Sequence, residues 1–308
     1  MTSKTPTVSV IIPARGSAEV LPRALESIED QSYQNVLEVV VAAADDQTSA
    51  VAEAAGATVV RNEAGTTPAG LNLAISATRG EVIVRCDAQS VLPPDYISRA
   101  VDTLTRTGAA NVGGMQIPVG ETPWERAIAA AMSSSFGAGD ARYRIGGEEG
   151  PVETVYLGVF RRDALERIGG FDESFVRTQD YELNHRLIES GGIVWFDPEL
   201  RVLYRPRGSL ARLAHQYLDY GRAKRRFART HKGALRWRQL VAPLLTLALL
   251  ASLVTSIWQP LALLGPVLYV AGLLAVGVST RRNPLRVAMA LATMHLAWGW
   301  GFLTGDRT

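Results

Sequence analysis

The feature that most restricts the fold of this chain is a run of three apolar stretches near its C-terminal end. They lie at roughly Leu240–Ile257, Leu261–Val278 and Leu285–Phe302, with short polar turns between them. Each is close to the ~20 apolar residues that a helix needs to cross a bilayer. Buried core helices are the alternative, but three consecutive stretches without a polar face do not fit into a soluble domain. The sequence therefore predicts three transmembrane helices within residues 239–304.

Basic residues around these stretches predict their orientation. One basic cluster precedes the first stretch and another lies between the second and third, whereas the turn at Trp258 carries no lysine or arginine. Under the positive-inside rule both clusters face the cytoplasm and the Trp258 turn faces outward. We therefore expect a multi-pass protein of the inner or plasma membrane whose N-terminal part is cytoplasmic. The clusters are Arg225, Arg226, Arg229, Lys232, Arg236 and Arg238, and then Arg281, Arg282 and Arg286.

The segment 208–238 mixes apolar residues with many arginines and lysines at helical spacing. Such a helix has one apolar and one basic face, which is typical of helices that lie on an anionic membrane surface. A solvated basic linker is the alternative.

Residues 1–207 alternate between apolar strands and helices, which is typical of a mostly parallel sheet covered on both faces. Ligands of such sheets bind beyond the carboxyl ends of the strands. The first four strands are predicted at 7–14, 37–43, 57–62 and 81–86, further strands at 111–119 and 152–162, and a polar, glycine-rich loop at 133–151.

Charge and cysteine content exclude several classes of protein. The net charge is +2 and the basic residues are clustered locally, which argues against a nucleic-acid partner. The single cysteine, Cys86, rules out an internal disulfide and fits a reducing compartment. No His/Cys cluster for zinc and no P-loop pattern occur. The apolar run near the N-terminus is too short for a secretory signal.

Four segments resemble, in order, the family 2 glycosyltransferases, which have the Rossmann-like GT-A fold. They read "VSVIIPARG", "SIEDQSYQNVLEVVVA", "NEAGTTPAGLNLAISATRGEVIVRCDAQS" and "IGGFDESFVRTQDYELNHRL". Within the family, "VETVYLGVFRR", "QDYELNHRL" and "QYLDYGRAKRR" are most similar to the membrane-anchored ExoA-type subgroup. The resemblance implies a GT-A domain over residues 1–207, followed by an interfacial segment at 208–238 and the membrane helices.

The resemblance also implies a nucleotide-sugar donor with Mg²⁺ or Mn²⁺ beside its diphosphate. Asp87 matches the first aspartate of the family's D-x-D motif, and Gln89 stands where the second is usual. We therefore expect Asp87 as the main carboxylate on the metal and Gln89 as a candidate ligand. Asp180 matches the catalytic base, which takes the proton of the acceptor hydroxyl. Attack by that hydroxyl opposite the leaving diphosphate would invert the anomeric centre. Gln179 replaces the usual glutamate before that base.

The remaining site residues follow from their positions in the matching segments. Arg15, Asn72 and Arg85 each have a purely structural alternative. Many family members carry an aspartate at the position of Ala42, and here Asp45 or Asp46 is the candidate to replace it. The donor or nucleotide residues are expected to be Pro13, Ala14, Arg15, Asp45, Asn72, Arg85, Asp87 and Arg222, and those near the acceptor Gln179, Gln216 and Tyr220.

The resemblance implies an inverting membrane glycosyltransferase that moves a sugar, glucose from UDP-glucose, to a lipid-linked, polyprenyl-type acceptor at the cytoplasmic leaflet. The product would enter a cell-envelope glycan or an exopolysaccharide. Transfer to polyprenyl phosphate itself and the use of GDP-mannose are open alternatives.

A non-catalytic binding or assembly protein with a decayed domain is a further alternative, motivated by Ala42 and Gln89. The retention of both Asp87 and Asp180 opposes it. A processive synthase is disfavoured because three helices are few for a pore and the Q-x-x-R-W signature is not intact.

Overall fold

The computed structural model describes residues 5–305, which form two compact units. The first comprises the chain up to Ile117 together with Gly146–Leu203, and the second comprises Pro118–Ile145 together with the chain from Tyr204. The sequence predicts boundaries after residues 207 and 238. The chain also crosses between the two units after Ile117 and after Ile145, because the helix after Pro118 buries its apolar side chains among the C-terminal helices.

Among the described residues, the first unit is built on an eight-stranded sheet with the order β3-β2-β1-β4-β7-β5-β8-β6. Strands β1 to β4 are parallel, and β7 runs antiparallel between β4 and β5. This arrangement confirms the predicted α/β class, with parallel strands β1 to β4 forming one half of the sheet. The strands are β1 (Val8–Ala14), β2 (Val36–Ala43), β3 (Thr58–Arg61), β4 (Val82–Arg85), β5 (Asn111–Pro118), β6 (Gly150–Pro151), β7 (Tyr156–Arg161) and β8 (Val194–Tyr204).

The central strands are apolar on both faces because helices cover both. Val10, Ile12 and Val84 are 0% exposed and belong to one continuous core. A covered parallel sheet needs this pattern, because neither of its faces meets water. The helices of this unit are α1 (Leu21–Glu29), α2 (Asp46–Ala54), α3 (Thr67–Ser76), α4 (Tyr96–Thr107), α8 (Arg162–Arg167) and α9 (Gln179–Glu189).

The second unit consists of helices. The segment 133–151, expected as an irregular loop, contains two short helices of this unit, and its last residues form β6. Its helices are α5 (Pro123–Met132), α6 (Ser135–Ala138), α7 (Arg142–Ile145), α10 (Leu210–Thr230), α11 (Val241–Thr255), α12 (Leu264–Ser279) and α13 (Pro284–Thr304).

Three helical segments within residues 5–305 are long and apolar enough to cross a membrane: Trp237–Thr255, Pro260–Ser279 and Pro284–Thr304. They coincide with the three predicted stretches. In the first two segments most side chains are exposed, as expected for helices that face lipid.

Helix α10 packs closely against α13 through glycines. A Cβ placed on Gly221 would lie 2.1 Å from the Trp298 carbonyl oxygen, and one on Gly301 would lie 2.2 Å from that of Leu218. Small residues at such positions allow two helix backbones to approach each other. The apolar side of the amphipathic segment is therefore buried against protein along this contact.

Candidate active site

The residues expected to carry the chemistry lie where the parallel strands end. β4 ends at Arg85, and Asp87 opens a tight turn in which the Ser90 amide donates to the Asp87 carbonyl oxygen at 2.8 Å. Asp180 lies in the first turn of α9, 95 residues along the chain from Arg85. The fold thus brings two distant carboxylates to one edge of the sheet.

Arg85 joins these two carboxylates. Its side chain is only 6% exposed, and its Nε donates to Asp87 Oδ1 at 3.0 Å while Nη2 lies 2.9 Å from the same oxygen. Its Nη1 donates to Asp180 Oδ1. The planar guanidinium suits two carboxylates at once because its N–H groups point outward in a fixed fork. The Oδ2 atom of each aspartate makes no hydrogen bond or ion pair with residues 5–305.

The pKa of the Asp180 carboxyl is raised above its ordinary value. Loss of hydration is the main cause, Arg85 acts in the opposite direction, and the negative charge of Asp87 adds to the rise. The side chain is nevertheless 40% exposed, so a substrate hydroxyl can reach it. A carboxylate with a raised pKa holds a proton more readily, which suits a general base.

Asp87 offers one open oxygen for a divalent cation. Its side chain is 21% exposed, and residues 5–305 contain no group of three His, Cys, Asp or Glu side chains that could hold a metal. Mg²⁺ commonly keeps several waters and takes one or two protein carboxylates together with substrate phosphates. The site therefore fits a cation shared with a bound diphosphate, and does not fit one held by the protein alone.

Gln89, the other expected metal residue, is exposed in the turn that follows Asp87. It makes no hydrogen bond with any residue from 5 to 305. Its amide therefore remains a candidate ligand.

Polar contacts tie together the turns that follow β1, β2 and β3. Asp45 accepts hydrogen bonds from the Gly16 amide at 2.6 Å and from the amide and hydroxyl of Thr48 at 2.9 Å. These bonds, first of all that from Gly16, hold the pKa of Asp45 below its ordinary value. The exposed Arg15 donates Nη1 to the Gly65 carbonyl oxygen at 3.3 Å. Asp45 therefore caps α2 and braces the turn after β1.

The position of the usual family aspartate, expected at Ala42, is inside a strand. Ala42 pairs with Pro13 and Val60 and is 0% exposed, and Ala14, which follows Pro13 in β1, is also buried. β2 continues through Ala43, so Asp45 is the first acidic residue beyond it. A nucleotide could reach Pro13 and Ala14 only through their backbone or the partly exposed Pro13 ring.

Asn72 binds the glycine-rich turn that leads to α9. Its Nδ2 donates to the Phe171 carbonyl oxygen at 2.9 Å and to Glu173 Oε1 at 3.0 Å, and its Oδ1 accepts from the Phe171 amide at 2.9 Å. Both amide hydrogens are used within the protein. These contacts give Asn72, expected at the donor, a role in positioning the segment before Asp180.

Arg186 holds the same turn from the other side. Its Nε and Nη2 donate to the two oxygens of the buried Glu182 at 2.6 and 2.8 Å, and it also donates to the carbonyl oxygens of Ile168 and Gly170. The start of α9, and with it Asp180, is therefore fixed to the loop at 168–170.

Replacing Arg186 with methionine should destabilise the first unit strongly. Glu182, whose side chain is 1% exposed, would keep a buried charge without this partner. Breaking a buried pair in this way costs about 3–5 kcal/mol, or roughly 6–20 °C in Tm. Thermal unfolding of the full chain in detergent measures the change. The control is Arg167→Met, whose ion pair with Asp163 is more than half exposed on both sides and should contribute at most ~1 kcal/mol. Equal shifts for both variants would contradict the expectation.

The residue before Gln179 has an unusual backbone. Thr178 caps α9 with a φ of 61°, a left-handed conformation that a β-branched residue rarely adopts. Such strain of about 1–3 kcal/mol persists where the surroundings hold it, often at functional sites. It turns the chain so that α9 begins with Gln179 and Asp180, both of which are partly exposed.

The other three expected residues lie in the second unit. Gln216 donates Nε2 to the hydroxyl oxygens of Tyr204 at 3.2 Å and Tyr220 at 3.0 Å. Arg222 lies 3.7 Å from Asp219, and its buried Nε has no hydrogen-bond partner in the described chain. Gln216, Tyr220 and Arg222 all lie on α10.

A family model described as Glycosyl transferase family 2 matches residues 9–169, a range that contains all of β1 but its first residue, β2 to β4, Arg85 and Asp87. The chain belongs to glycosyltransferase family 2. It is 33% identical over 231 residues to the succinoglycan biosynthesis protein ExoA of Rhizobium meliloti (strain 1021), which covers 72% of this chain and 68% of the relative. It is 27% identical over 224 residues to glycosyltransferase AglE of Haloferax volcanii, a match that covers 68% of this chain and 71% of that relative.

Solved structures agree with this family 2 fold. The mannosyltransferase PcManGT from Pyrobaculum calidifontis, solved in complex with GDP-Man and Mn²⁺, matches with a TM-score of 0.67 at 20% identity over 95% of this chain and 88% of that one. Residues 1–349 of TarS from S. aureus match with a TM-score of 0.53 at 14% identity, over 97% and 90%. These likenesses show the GT-A fold, and the transferase class follows from the family model and the relative ExoA.

Two features of this family 2 glycosyltransferase were not apparent from the sequence. The charge of Asp87 acts on the Tyr156 phenol, whose pKa is raised first by burial and then by that charge. In the second unit, Arg144 lies among tyrosines rather than in an irregular loop. Tyr156 lies in the segment "VETVYLGVFRR", which by itself does not single out the tyrosine, and the signal for Arg144 was the density of Arg and Tyr in "ARYRIGG".

Proposed function

We propose that this chain is an inverting, metal-dependent membrane glycosyltransferase that transfers glucose from UDP-glucose to a lipid-linked acceptor at the cytoplasmic leaflet. The observation that supports the proposal is the Arg85 bridge, in which one guanidinium contacts the carboxylates of both Asp87 and Asp180. Asp87 and Asp180 are the proposed metal ligand and catalytic base.

On the acceptor side, Asp180 has the properties that the reaction needs. The acceptor hydroxyl loses its proton as its oxygen bonds to the anomeric carbon, and the bond from that carbon to the diphosphate oxygen breaks on the opposite face. Oδ2 of Asp180 is open for the proton, and Arg85 on Oδ1 fixes the direction in which the carboxylate points.

On the donor side, Asp87 and Arg85 act together. A divalent cation bound at Asp87 would offset the charge that develops on the leaving diphosphate. Arg85 holds Asp87 through Oδ1, so Oδ2 would be available to such a cation. The PcManGT complex with GDP-Man and Mn²⁺ supports a nucleotide-sugar and metal site in this fold.

The membrane part of the proposal rests on the three apolar helices. They would cross the inner or plasma membrane with the basic segment before Trp237 on the cytoplasmic side. A catalytic domain anchored there meets a membrane-bound acceptor at a raised effective concentration. The relationship to a succinoglycan biosynthesis protein supports a role in polysaccharide assembly.

The test is donor turnover by the purified full chain in detergent. UDP-glucose, UDP-galactose and GDP-mannose are offered with Mg²⁺ or Mn²⁺, and release of nucleoside diphosphate is measured with and without a membrane lipid extract. We expect lipid-stimulated release from UDP-glucose that EDTA abolishes. Turnover of GDP-mannose alone would show that GDP-mannose, and not UDP-glucose, is the donor. If no donor is turned over with any lipid fraction, the proposal that this chain is a glycosyltransferase in this reaction is wrong.

The variant Asp87→Ala should lose the metal-dependent turnover, because the described residues hold no group of three metal-ligating side chains that could replace this carboxylate. Asp163→Ala is the control, since Asp163 is an aspartate of the same unit whose side chain is 71% exposed. Unchanged metal dependence in Asp87→Ala would contradict the ligand assignment.

A further inference from the structure

Arg144, in the second unit, is a guanidinium without a carboxylate partner. Its Nη1 donates to the Tyr217 hydroxyl oxygen at 2.9 Å, and its Nε is buried without any hydrogen bond. Within residues 5–305 no aspartate or glutamate forms an ion pair with it. Tyr143 lies beside it, with the Arg144 guanidinium carbon 5.4 Å from the ring centroid.

Part of this guanidinium has no hydrogen bond. Of its five N–H donors, one binds an oxygen of the described residues, and the Nε–H is buried without an acceptor among them, although the side chain as a whole is half-buried. Removing an unpaired charge from water is unfavourable by several kcal/mol, so a buried arginine is normally paired with an anion. The arrangement at Arg144 has the cation and lacks the anion.

The groups around Arg144 are themselves hydrogen-bond donors. The Tyr217 oxygen accepts from Arg144 and the Tyr220 oxygen accepts from Gln216, so the hydrogen of each phenol is left to donate. The Tyr217 and Tyr220 ring centroids are 5.6 Å apart. The nearby carboxylate of Asp219 lies beside Arg222 instead, at 3.7 Å. Guanidinium and phenol donors without a carboxylate are the chemistry that binds a phosphate.

One acceptor completes the group. Oε1 of Gln216 is buried and has no donor among the described residues. A phosphate cannot donate to it, but a sugar hydroxyl can. A sugar attached to a phosphate would satisfy both the guanidinium and the amide oxygen.

The segment that carries Arg144 contacts the apolar helices of its own unit. Asp140 lies 3.1 Å from Arg238, which stands at the start of the first apolar helix. The Phe136 carbonyl oxygen lies 2.7 Å from His295 Nε2 on α13. Phe136 and Ile145 are 59% and 40% exposed, so apolar side chains flank the polar group. This is the environment of a lipid headgroup, charged at one end and apolar beside it.

We propose that Arg144, Tyr217, Tyr220 and Gln216 form a site for the phosphate and first sugar of a polyisoprenyl-linked acceptor. This inference rests on the proposed function only in identifying the bound lipid as the acceptor. Binding of the lipid phosphate itself needs no turnover. The same phosphate chemistry occurs in the nucleotide donor and in phospholipids. The contacts of the segment with the apolar helices favour the acceptor.

Binding to the full chain in detergent tests the site. The probes are farnesyl diphosphate, UDP with Mg²⁺, and a short-chain phosphatidylglycerol, each titrated by calorimetry. We expect farnesyl diphosphate to bind, and Arg144→Met to weaken it by about tenfold or more, because a charge-assisted contact is lost. UDP binding should stay unchanged. Arg142→Met, which removes the same charge from the same short helix, is the matched control and should leave both affinities unchanged.

Other results would overturn the proposal. Weakened UDP binding in Arg144→Met would assign the site to the donor, and equal Arg144-dependent binding of phosphatidylglycerol would make it a general lipid site. Unchanged farnesyl diphosphate binding would make Arg144 structural. If Arg144→Met does not fold, Arg144→Lys and Tyr217→Phe take its place, with a smaller loss expected from each. If the purified chain binds farnesyl diphosphate through Arg144 but turns over no donor, the proposed reaction is refuted and the proposed lipid-phosphate site is retained.

Discussion

Replacing Asp180 with asparagine should lower kcat by about 10²–10⁴-fold, the contribution of a general base. The amide has the same shape as the carboxylate and can keep its contact with Arg85 through its oxygen, but it cannot take the proton of the acceptor hydroxyl. The loss should therefore fall on kcat with little change in the KM of the donor. Initial rates with labelled donor and lipid extract measure both constants.

The control for this variant is Asp163→Asn, an exposed aspartate of the same unit whose side chain is 71% exposed. It should retain full activity. An Asp180→Asn enzyme that works at the normal rate would remove Asp180 from the mechanism, and one that loses only donor affinity would move it to the donor site.

Replacing Arg85 with methionine should change the pH dependence of the enzyme. Arg85 lowers the pKa of Asp180, against burial and against Asp87, so its removal raises that pKa further. A higher pH is then needed to ionise the base. The acid limb of kcat/KM against pH should move to higher pH, and activity should fall most at acid pH. A limb that stays in place would show that Arg85 does not act on the base.

The same variant should be less stable near neutral pH. Two carboxylates would remain together without their common cation, at a cost of about 3 kcal/mol, the low end for a buried pair because Asp180 is 40% exposed. In an Asp180→Asn background the cost should be smaller, since one of the two charges is gone. Arg61→Met, which removes an exposed arginine paired with Asp46, is the control and should change Tm little.

Much of the fold follows from periodicity in the sequence. The all-apolar strands β1, β2 and β4 and the three apolar C-terminal helices are long, uniform patterns, and the structure has them close to where they were predicted. Helix α4 and strand β8 were missed. α4 has its buried residues at helical spacing behind "LPPD", and β8 contains Asp197 and Pro198, which interrupt the alternation of a strand.

The candidate site shows what a linear pattern cannot supply. Asp87 and Asp180 were chosen from motifs, and the structure brings them to one arginine. That Arg85 contacts both depends on the pairing of β4 with its neighbours and on the start of α9, which no local sequence encodes. The residues expected at the nucleotide also depend on the fold and not on a local pattern. β2 continues through Ala43, so Ala42 is buried, and both carboxylate oxygens of Asp45 accept hydrogen bonds within the protein.

The path of the chain between the two units limits how this enzyme can be divided. It passes from one unit to the other after Ile117, after Ile145 and after Leu203. A gene truncated at residue 207 would still encode α5, whose apolar side chains would have lost the helices that cover them. Such a fragment would aggregate rather than behave as a soluble catalytic domain. For the same reason, recombination at a single point cannot exchange the membrane anchor for another, so anchor and catalyst are inherited together.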